Sequence, residues 1–338
     1  MTLQEMLASA PGASPALGAP NRSWVHFGEL RKLSQTIGAQ LAGFGLGRGD
    51  RVAIVLPNGP EMASAFVTIA QWCVTAPLNP AYKRDEYAFY MGDLKAKALV
   101  VMADEDGPAV QAADELGIKI LRLHSSDASP AGVFSLRGSA LASATAAPEA
   151  VPAQADDIAL ILHTSGTTSR PKIVPLLHRN LTASGHHIAS SLTLSGADRC
   201  LNVMPLFHIH GLVAAVTASL CAGASVSCTS GFDALKFFGL MKEVQPTWYT
   251  AVPTMHQAIM SRAARNADVI TEVGLRFLRS SSASLPPQVF DELVKTFNAP
   301  VIEGYGMTEA AHQMCSNPLP PRAQKPGCVG IAAGPMVR

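Results

Sequence analysis

The residues best equipped for chemistry lie together at 163–172, His163-Thr-Ser-Gly-Thr-Thr-Ser-Arg-Pro-Lys172. They follow an apolar run, Ile158 to Leu162, that reads as a buried strand. A strand that empties into Thr, Ser and Gly gathers hydroxyls and free backbone N–H groups into one turn. Lys172 adds a positive charge at its far end. This is the make-up of a phosphate-binding loop, with Thr164, Ser165, Gly166, Thr167, Thr168 and Lys172 as candidate anion ligands. The plainer alternative is a Ser/Thr-rich surface loop. Six hydroxyl or glycine residues in a row, closed by Pro-Lys after a buried strand, favour the phosphate reading. A Walker loop is excluded, because Pro171 stands where its second Gly belongs and Ile173 where its Mg²⁺-binding hydroxyl belongs.

Four further segments sit where predicted strands run out, the usual place for ligands in open α/β sheets. They are Met204 to Gly211, Trp248 to Thr254, Arg279 to Ser284 and Glu303 to His312. Thr308-Glu309 pairs a hydroxyl with a carboxylate, which opposite a phosphate loop can share Mg²⁺ with triphosphate oxygens. The same pair also makes an ordinary helix start. Tyr305 is either a ring for stacking on a base or a half-buried core tyrosine. His208 and His210 alternate, so in an extended segment both point the same way. A metal pair there lacks a third ligand nearby in sequence. Core histidines are one alternative; the other is a set of neutral donors that, with His312 and the serine cluster, clasps a small carboxylate.

The elements that position these segments follow from periodicity. Leu30, Leu33, Ile37 and Leu41 recur at helical steps, and Arg51 to Leu56 reads as a buried strand. Helices at 60–72, 83–95 and 108–116 then alternate with strands at 74–78, 98–102 and 118–123. Residues 124–157, rich in Ala, Ser and Pro, lose the rhythm and read as a connection. Beyond the loop the alternation resumes: strands at 199–203, 224–228, 247–250, 276–280 and 300–303, helices at 211–221, 233–243, 254–265 and 287–297. The pattern predicts an α/β protein of two similar αβα-layered subdomains with mostly parallel sheets. The divisions expected are a poorly ordered leader at 1–24, a first subdomain at 25–150, a second carrying the site at 151–330, and the start of a third at 331–338.

At 338 residues the chain has material for two domains. A net charge of +1 provides no global field for nucleic acid or an acidic membrane, so any anion must be held locally. Six scattered cysteines without CxxC pairs favour free thiols in a reducing compartment. No uninterrupted apolar run is long enough to span a membrane, and the N-terminus lacks the marks of a secretion signal. The expected location is the cytoplasm; oligomeric state is left open.

In order along the chain, HTSGTTSRPK, PLFHIHG and GYGMTE resemble the motifs of adenylate-forming enzymes: acyl- and aryl-CoA synthetases, luciferases and nonribosomal adenylation domains. The likeness runs from about residue 25 to the end. TTSRPK, MPLFHIHGL, WYTAVPTMHQ, RSSSASL and GMTEAAHQM are most similar to the oxalate–CoA ligase branch. The resemblance implies that a carboxylate attacks the α-phosphate of ATP to give an acyl-adenylate and pyrophosphate, after which the thiol of CoA takes the acyl group. It implies further that the loop and Thr308 contact phosphate, and that Glu309, with Thr167, holds Mg²⁺. Ser282, Ala283, Ser284, Gly304, Tyr305 and Gly306 would form the adenine pocket. His208 would lie beside the reacting carboxylate, and for oxalate His208, Ser282 and His312 are the expected contacts, with His210 in reserve. Malonate, a medium-chain acid or an aromatic acid is the alternative substrate, and an inactive nucleotide-binding module the alternative function. Ser169 and Ile173 depart from the superfamily pattern, which has Gly at both places. A β-branched residue at positive φ would be strained, so the loop is expected to leave through β-type backbone at Ile173 or to be shifted. Family chains continue into a small barrel and a C-terminal domain bearing a catalytic lysine, so this chain reads as an N-terminal fragment, inactive alone.

Overall fold

A computed structural model describes residues 1–138, 149–164 and 171–337. One sheet has seven strands: β3 (Arg51–Val55), β4 (Val74–Pro77), β5 (Ala98–Met102), β6 (Lys119–Ser125), β7 (Phe134–Arg137), β8 (Ile158–Thr164) and β9 (Lys172–Leu177). Their spatial order is β7-β6-β5-β3-β4-β8-β9. The other sheet has nine: β1 (Pro15–Gly18), β2 (Val25–His26), β10 (Arg199–Asn202), β11 (Ser225–Cys228), β12 (Trp248–Ala251), β13 (Phe277–Ser281), β14 (Val301–Met307), β15 (His312–Ser316) and β16 (Ile331–Ala332). Its order is β16-β15-β14-β13-β12-β10-β11-β1-β2. In both sheets the central pairs are parallel and the antiparallel pairs lie towards the edges. β4, β11, β12 and β13 are buried throughout, as parallel strands covered on both faces must be.

The covering helices sort into three layers. Between the sheets lie α1 (Leu3–Ala8), α2 (Phe27–Gly43), α3 (Pro60–Ile69), α6 (His178–Ser191) and a π-helix, His210–Thr217, that runs into α7 (Ala218–Cys221); one apolar core joins them to both inner sheet faces. Outside the seven-stranded sheet are α4 (Arg84–Leu94) and α5 (Pro108–Glu115). Outside the nine-stranded sheet are α8 (Phe237–Val244), α9 (Pro253–Ala263), α10 (Ala267–Val273) and α11 (Pro287–Phe297). Two αβα units thus share their middle layer. α2 buries Leu30, Leu33, Ile37 and Leu41, the residues whose spacing announced it. Gly38 on the same helix sits against the Trp72 ring, where a Cβ would come within 2.4 Å.

Three sequence expectations differ from what is seen. The leader is ordered: Thr2 and Glu5 cap α1 reciprocally, and Leu3, Met6 and Leu7 are buried. One helical turn of apolar spacing is too short to stand out among Ala, Pro and Gly, and packing on α6 and α7 is what stabilises it. Further, the change of sheet does not fall at residue 150. β8 pairs with β4, so the strand feeding the candidate loop extends the first sheet, while β1 pairs with β11 and joins the second. Periodicity within an element carries no information on which distant strand it will flank. Finally, β7 lies inside the supposed connection, and α6 and β9 occupy a stretch where no element was expected. Ile331–Ala332, read as the start of a third unit, pairs with β15. Among the described residues, no helix is long and apolar enough to cross a membrane.

Candidate functional site

Ser165, Gly166, Thr167 and Thr168 lie outside the described residues. Their flanks are placed: Thr164 ends β8, Lys172 begins β9, and the two are register partners in an antiparallel pair. Ile173 lies in β9 opposite His163, so the chain does leave through β-type backbone there. β9 also packs against the 3₁₀ turn Thr308–Ala310. The two segments read as phosphate- and metal-binding, far apart in sequence and rooted in different sheets, are therefore neighbours. Glu309 is exposed and Thr308 half-buried beside it, an arrangement open to Mg²⁺ whose remaining ligands are phosphate and water oxygens.

Two cavities adjoin at the ends of β13 and β14. The first, about 340 Å³, is lined by Ser280, Ser282, Ala283, Ser284, Glu303, Gly304, Tyr305 and Gly306, with Gly327, Cys328 and Val329 across from them. All six residues expected at an adenine pocket are here. The Tyr305 ring stands at its wall, 44% exposed, which suits a stacking surface more than a core position. Sequence reading missed Ser280, whose buried hydroxyl has no partner among the described residues, and Glu303, which accepts the Gly327 N–H at 3.1 Å. Both stood inside flagged segments, but nothing in the sequence says which way a strand residue faces.

The second cavity, about 480 Å³, shares Ser282 and Gly306 with the first and is lined also by Met204, Pro205, His208, His210, Met255, Thr308 and His312. His208 and His210 are not on an extended strand: residues 206–209 turn, and His210 opens the π-helix. The turn is tight because Gly211 lies where a Cβ would meet the Pro205 carbonyl at 2.3 Å. Asn58 pins it by accepting from the Leu206 N–H at 2.8 Å. As a result His208 is exposed at the mouth, while His210 is buried beneath it. His210 bonds Ser282 Oγ through Nδ1 at 2.9 Å and Thr250 Oγ1 through Nε2 at 2.7 Å. His312 packs edge-on against it with ring centroids 5.2 Å apart, and its Nδ1 has no partner among the described residues.

Burial holds both His210 and His312 well below the ordinary histidine range, so both are neutral near pH 7. Ser282 and His312 take positive φ, 73° and 95°, which side-chain-bearing residues rarely adopt. Such backbone persists only where the surroundings impose it. Gly306 shows how tightly they do: a Cβ there would lie 1.6 Å from the His312 carbonyl oxygen.

A family model described as AMP-binding enzyme matches residues 4–337. The chain is 44% identical over 295 residues to an oxalate–CoA ligase of Arabidopsis thaliana, covering 86% of this chain and 57% of that protein. It is 38% identical over 308 residues to an oxalate–CoA ligase of Saccharomyces cerevisiae, covering 85% and 56%. A crystal structure of ATP-bound MatB from Rhodopseudomonas palustris superposes with a TM-score of 0.83 at 27% identity, covering 98% of this chain and 65% of that one. The chain thus spans less than two thirds of the length of each of these relatives. A match over nearly every residue, on the same layered fold, leaves one conclusion: this chain belongs to the AMP-binding enzyme family.

Proposed function

We propose that this chain carries the nucleotide- and acid-binding portion of an acid–CoA ligase that activates a small carboxylic acid, oxalate above others, as its acyl-adenylate. The observation behind the reading is the pair of adjoining cavities joined at Ser282, one walled by Ser, Gly and Tyr, the other by three histidines. A nucleotide in the first would present its α-phosphate towards the second, where a carboxylate is to attack. The identity to two oxalate–CoA ligases supports the choice of acid.

In this reading Thr164, Ser165, Gly166, Thr167, Thr168 and Lys172 hold the β- and γ-phosphates, and Thr308 a phosphate oxygen. Glu309 and Thr167 hold Mg²⁺, which when bound would offset charge moving onto pyrophosphate. The adenine lies on Tyr305 among Ser282, Ala283, Ser284, Gly304 and Gly306. His208, Ser282 and His312 fix the acid as neutral donors, with His210 bonded behind Ser282, so its reacting oxygen stays an unprotonated nucleophile aligned on phosphorus. A long acyl chain would want apolar walls, whereas these are imidazoles and hydroxyls. The volume exceeds that of a two-carbon acid because it has also to admit the α-phosphate and the thiol of CoA. The domain reading becomes a nucleotide site seated between the two αβα units.

Calorimetric titration of the chain, loaded with an α,β-methylene analogue of ATP and Mg²⁺, with oxalate, malonate, coumarate and octanoate tests the assignment. Oxalate is expected to bind tightest. Tighter binding of octanoate or coumarate would remove the small-acid reading.

A further inference from the structure

Beneath the acid cavity lies a charge that no part of the reading above uses. Arg279, on β13, is fully buried. Its Nη1 approaches Thr250 Oγ1 at 3.4 Å and His210 Nε2 at 3.5 Å, and its Nη2 donates to Gln313 Oε1 at 3.2 Å. Nε has no partner. Gly304 makes room for it, since a Cβ there would meet Nη2 at 2.6 Å. Among the described residues no carboxylate lies within ion-pair distance, and the remaining side chains include no Asp or Glu. Glu303, the acid on the adjacent strand, alternates to the other sheet face with Val301. A buried cation without an acid is costly unless something else supplies the negative charge.

We propose that Arg279 is a positioning and specificity-determining residue for the acid, selecting a dianion by its charge and aiming the Ser282 hydroxyl through His210. This inference rests on the acid-site reading. The donor set fixes the relay. A guanidinium only donates, so Thr250 Oγ1 accepts from Nη1 and turns its own proton to His210 Nε2. Nε2 is then the acceptor and Nδ1 carries the ring proton, which it donates to Ser282 Oγ. The Ser282 proton is thereby released from its neighbours and free to donate to a carboxylate in the cavity. One carboxylate of the acid is consumed by reaction at phosphorus. The second keeps its charge throughout, and Arg279 is the group that answers it. The titratable side chains facing His210 are His208, His256 and His312 besides Arg279, and Cys200 faces Arg279. None of these brings a negative charge at pH 7, since burial pushes the Cys200 thiol well up.

The test compares oxalate with oxamate, which has nearly the same shape but one negative charge fewer, by calorimetry in buffers of different ionisation enthalpy. Wild type is expected to favour oxalate by about tenfold or more and to take up almost no proton on binding it. In Arg279→Met the preference should collapse towards unity, and any remaining oxalate binding should take up a proton, because an imidazole must then supply the charge. Arg279→Lys should restore the preference. A natively folded Arg279→Met protein, by far-ultraviolet circular dichroism, that keeps the wild-type ratio overturns the inference alone. So does uptake of a full proton per oxalate in wild type, a result that needs no variant to fold. Wild type that binds the ATP analogue but neither acid overturns the acid-site reading itself.

Discussion

At the residue scale the two cavities meet on one side chain, Ser282, and its backbone makes a separable prediction. At φ 73° it sits where glycine is the relaxed choice. Ser282→Gly is therefore expected to leave the urea midpoint near wild type while weakening oxalate binding about tenfold, roughly the worth of one hydrogen bond to a charged group. A large fall in stability with unchanged oxalate affinity would mean that the hydroxyl serves the fold and not the acid. Lys172→Ala is expected to lower ATP affinity by at least about tenfold, because it removes the cation that pairs with phosphate at one end of the loop; unchanged affinity discredits the phosphate assignment. The sequence made Lys172, Ser282 and His312 visible as candidates because their types and neighbours are unusual. The family resemblance put His208 ahead of His210, and an extended segment would have pointed both the same way, whereas the turn held by Asn58 and Gly211 buries His210 and exposes His208. Arg279 stood inside a flagged segment without a role, since only the fold shows that no acid accompanies it.

At the scale of elements, the β14–β15 hairpin carries Tyr305 and His312 on its strands and Thr308 and Glu309 on its turn, and Gly306 is what lets it close. Gly306→Ala should cost more than about 3 kcal/mol, the range of a backbone clash that nothing can relieve. It should weaken nucleotide and acid binding together; a folded variant with one affinity intact would show the turn to be less constrained than that clash requires. At the other end of the chain, deletion of residues 1–10 removes α1 and the buried Leu3, Met6 and Leu7. The expected outcome is a lower melting temperature, by a transition measured in the absence of ligand, where a loose leader would leave it unchanged. Apart from α6, the long amphipathic helices were legible, as were the buried strands, because their period repeats. Those that announce themselves over a single turn, such as α1, or that are edge strands paired antiparallel with the strand before them, such as β7 and β9, were not.

At the scale of the whole molecule, the interior holds histidines that folding keeps neutral. Burial lowers His178 and His256 to about 4 each, and His210 and His312 well below the usual range. The unfolded chain binds protons at these sites from about pH 6.5 downwards, while the folded chain resists until the lowered values. Their stability contribution is therefore complete above about pH 6.5 and lost progressively as pH falls towards about 4. Urea midpoints should drop steeply over that window, and replacing His178 and His256 together by Gln should flatten the slope; an unaltered slope would place the protons elsewhere. The layered α/β architecture was open to sequence reasoning because alternating elements admit few topologies. Which strands close each sheet was not, so the change of sheet was expected at the wrong place along the chain. The central claim is that nucleotide and small acid occupy adjoining cavities. It is tested most directly by the affinity of the chain for a sulfamoyl-linked, non-hydrolysable mimic of oxalyl-adenylate, compared with AMP and with the octanoyl counterpart. The oxalyl mimic is predicted to bind at least about a hundredfold tighter than AMP, as two linked ligands should, and tighter than the octanoyl mimic. No gain over AMP, or a preference for octanoyl, would contradict it.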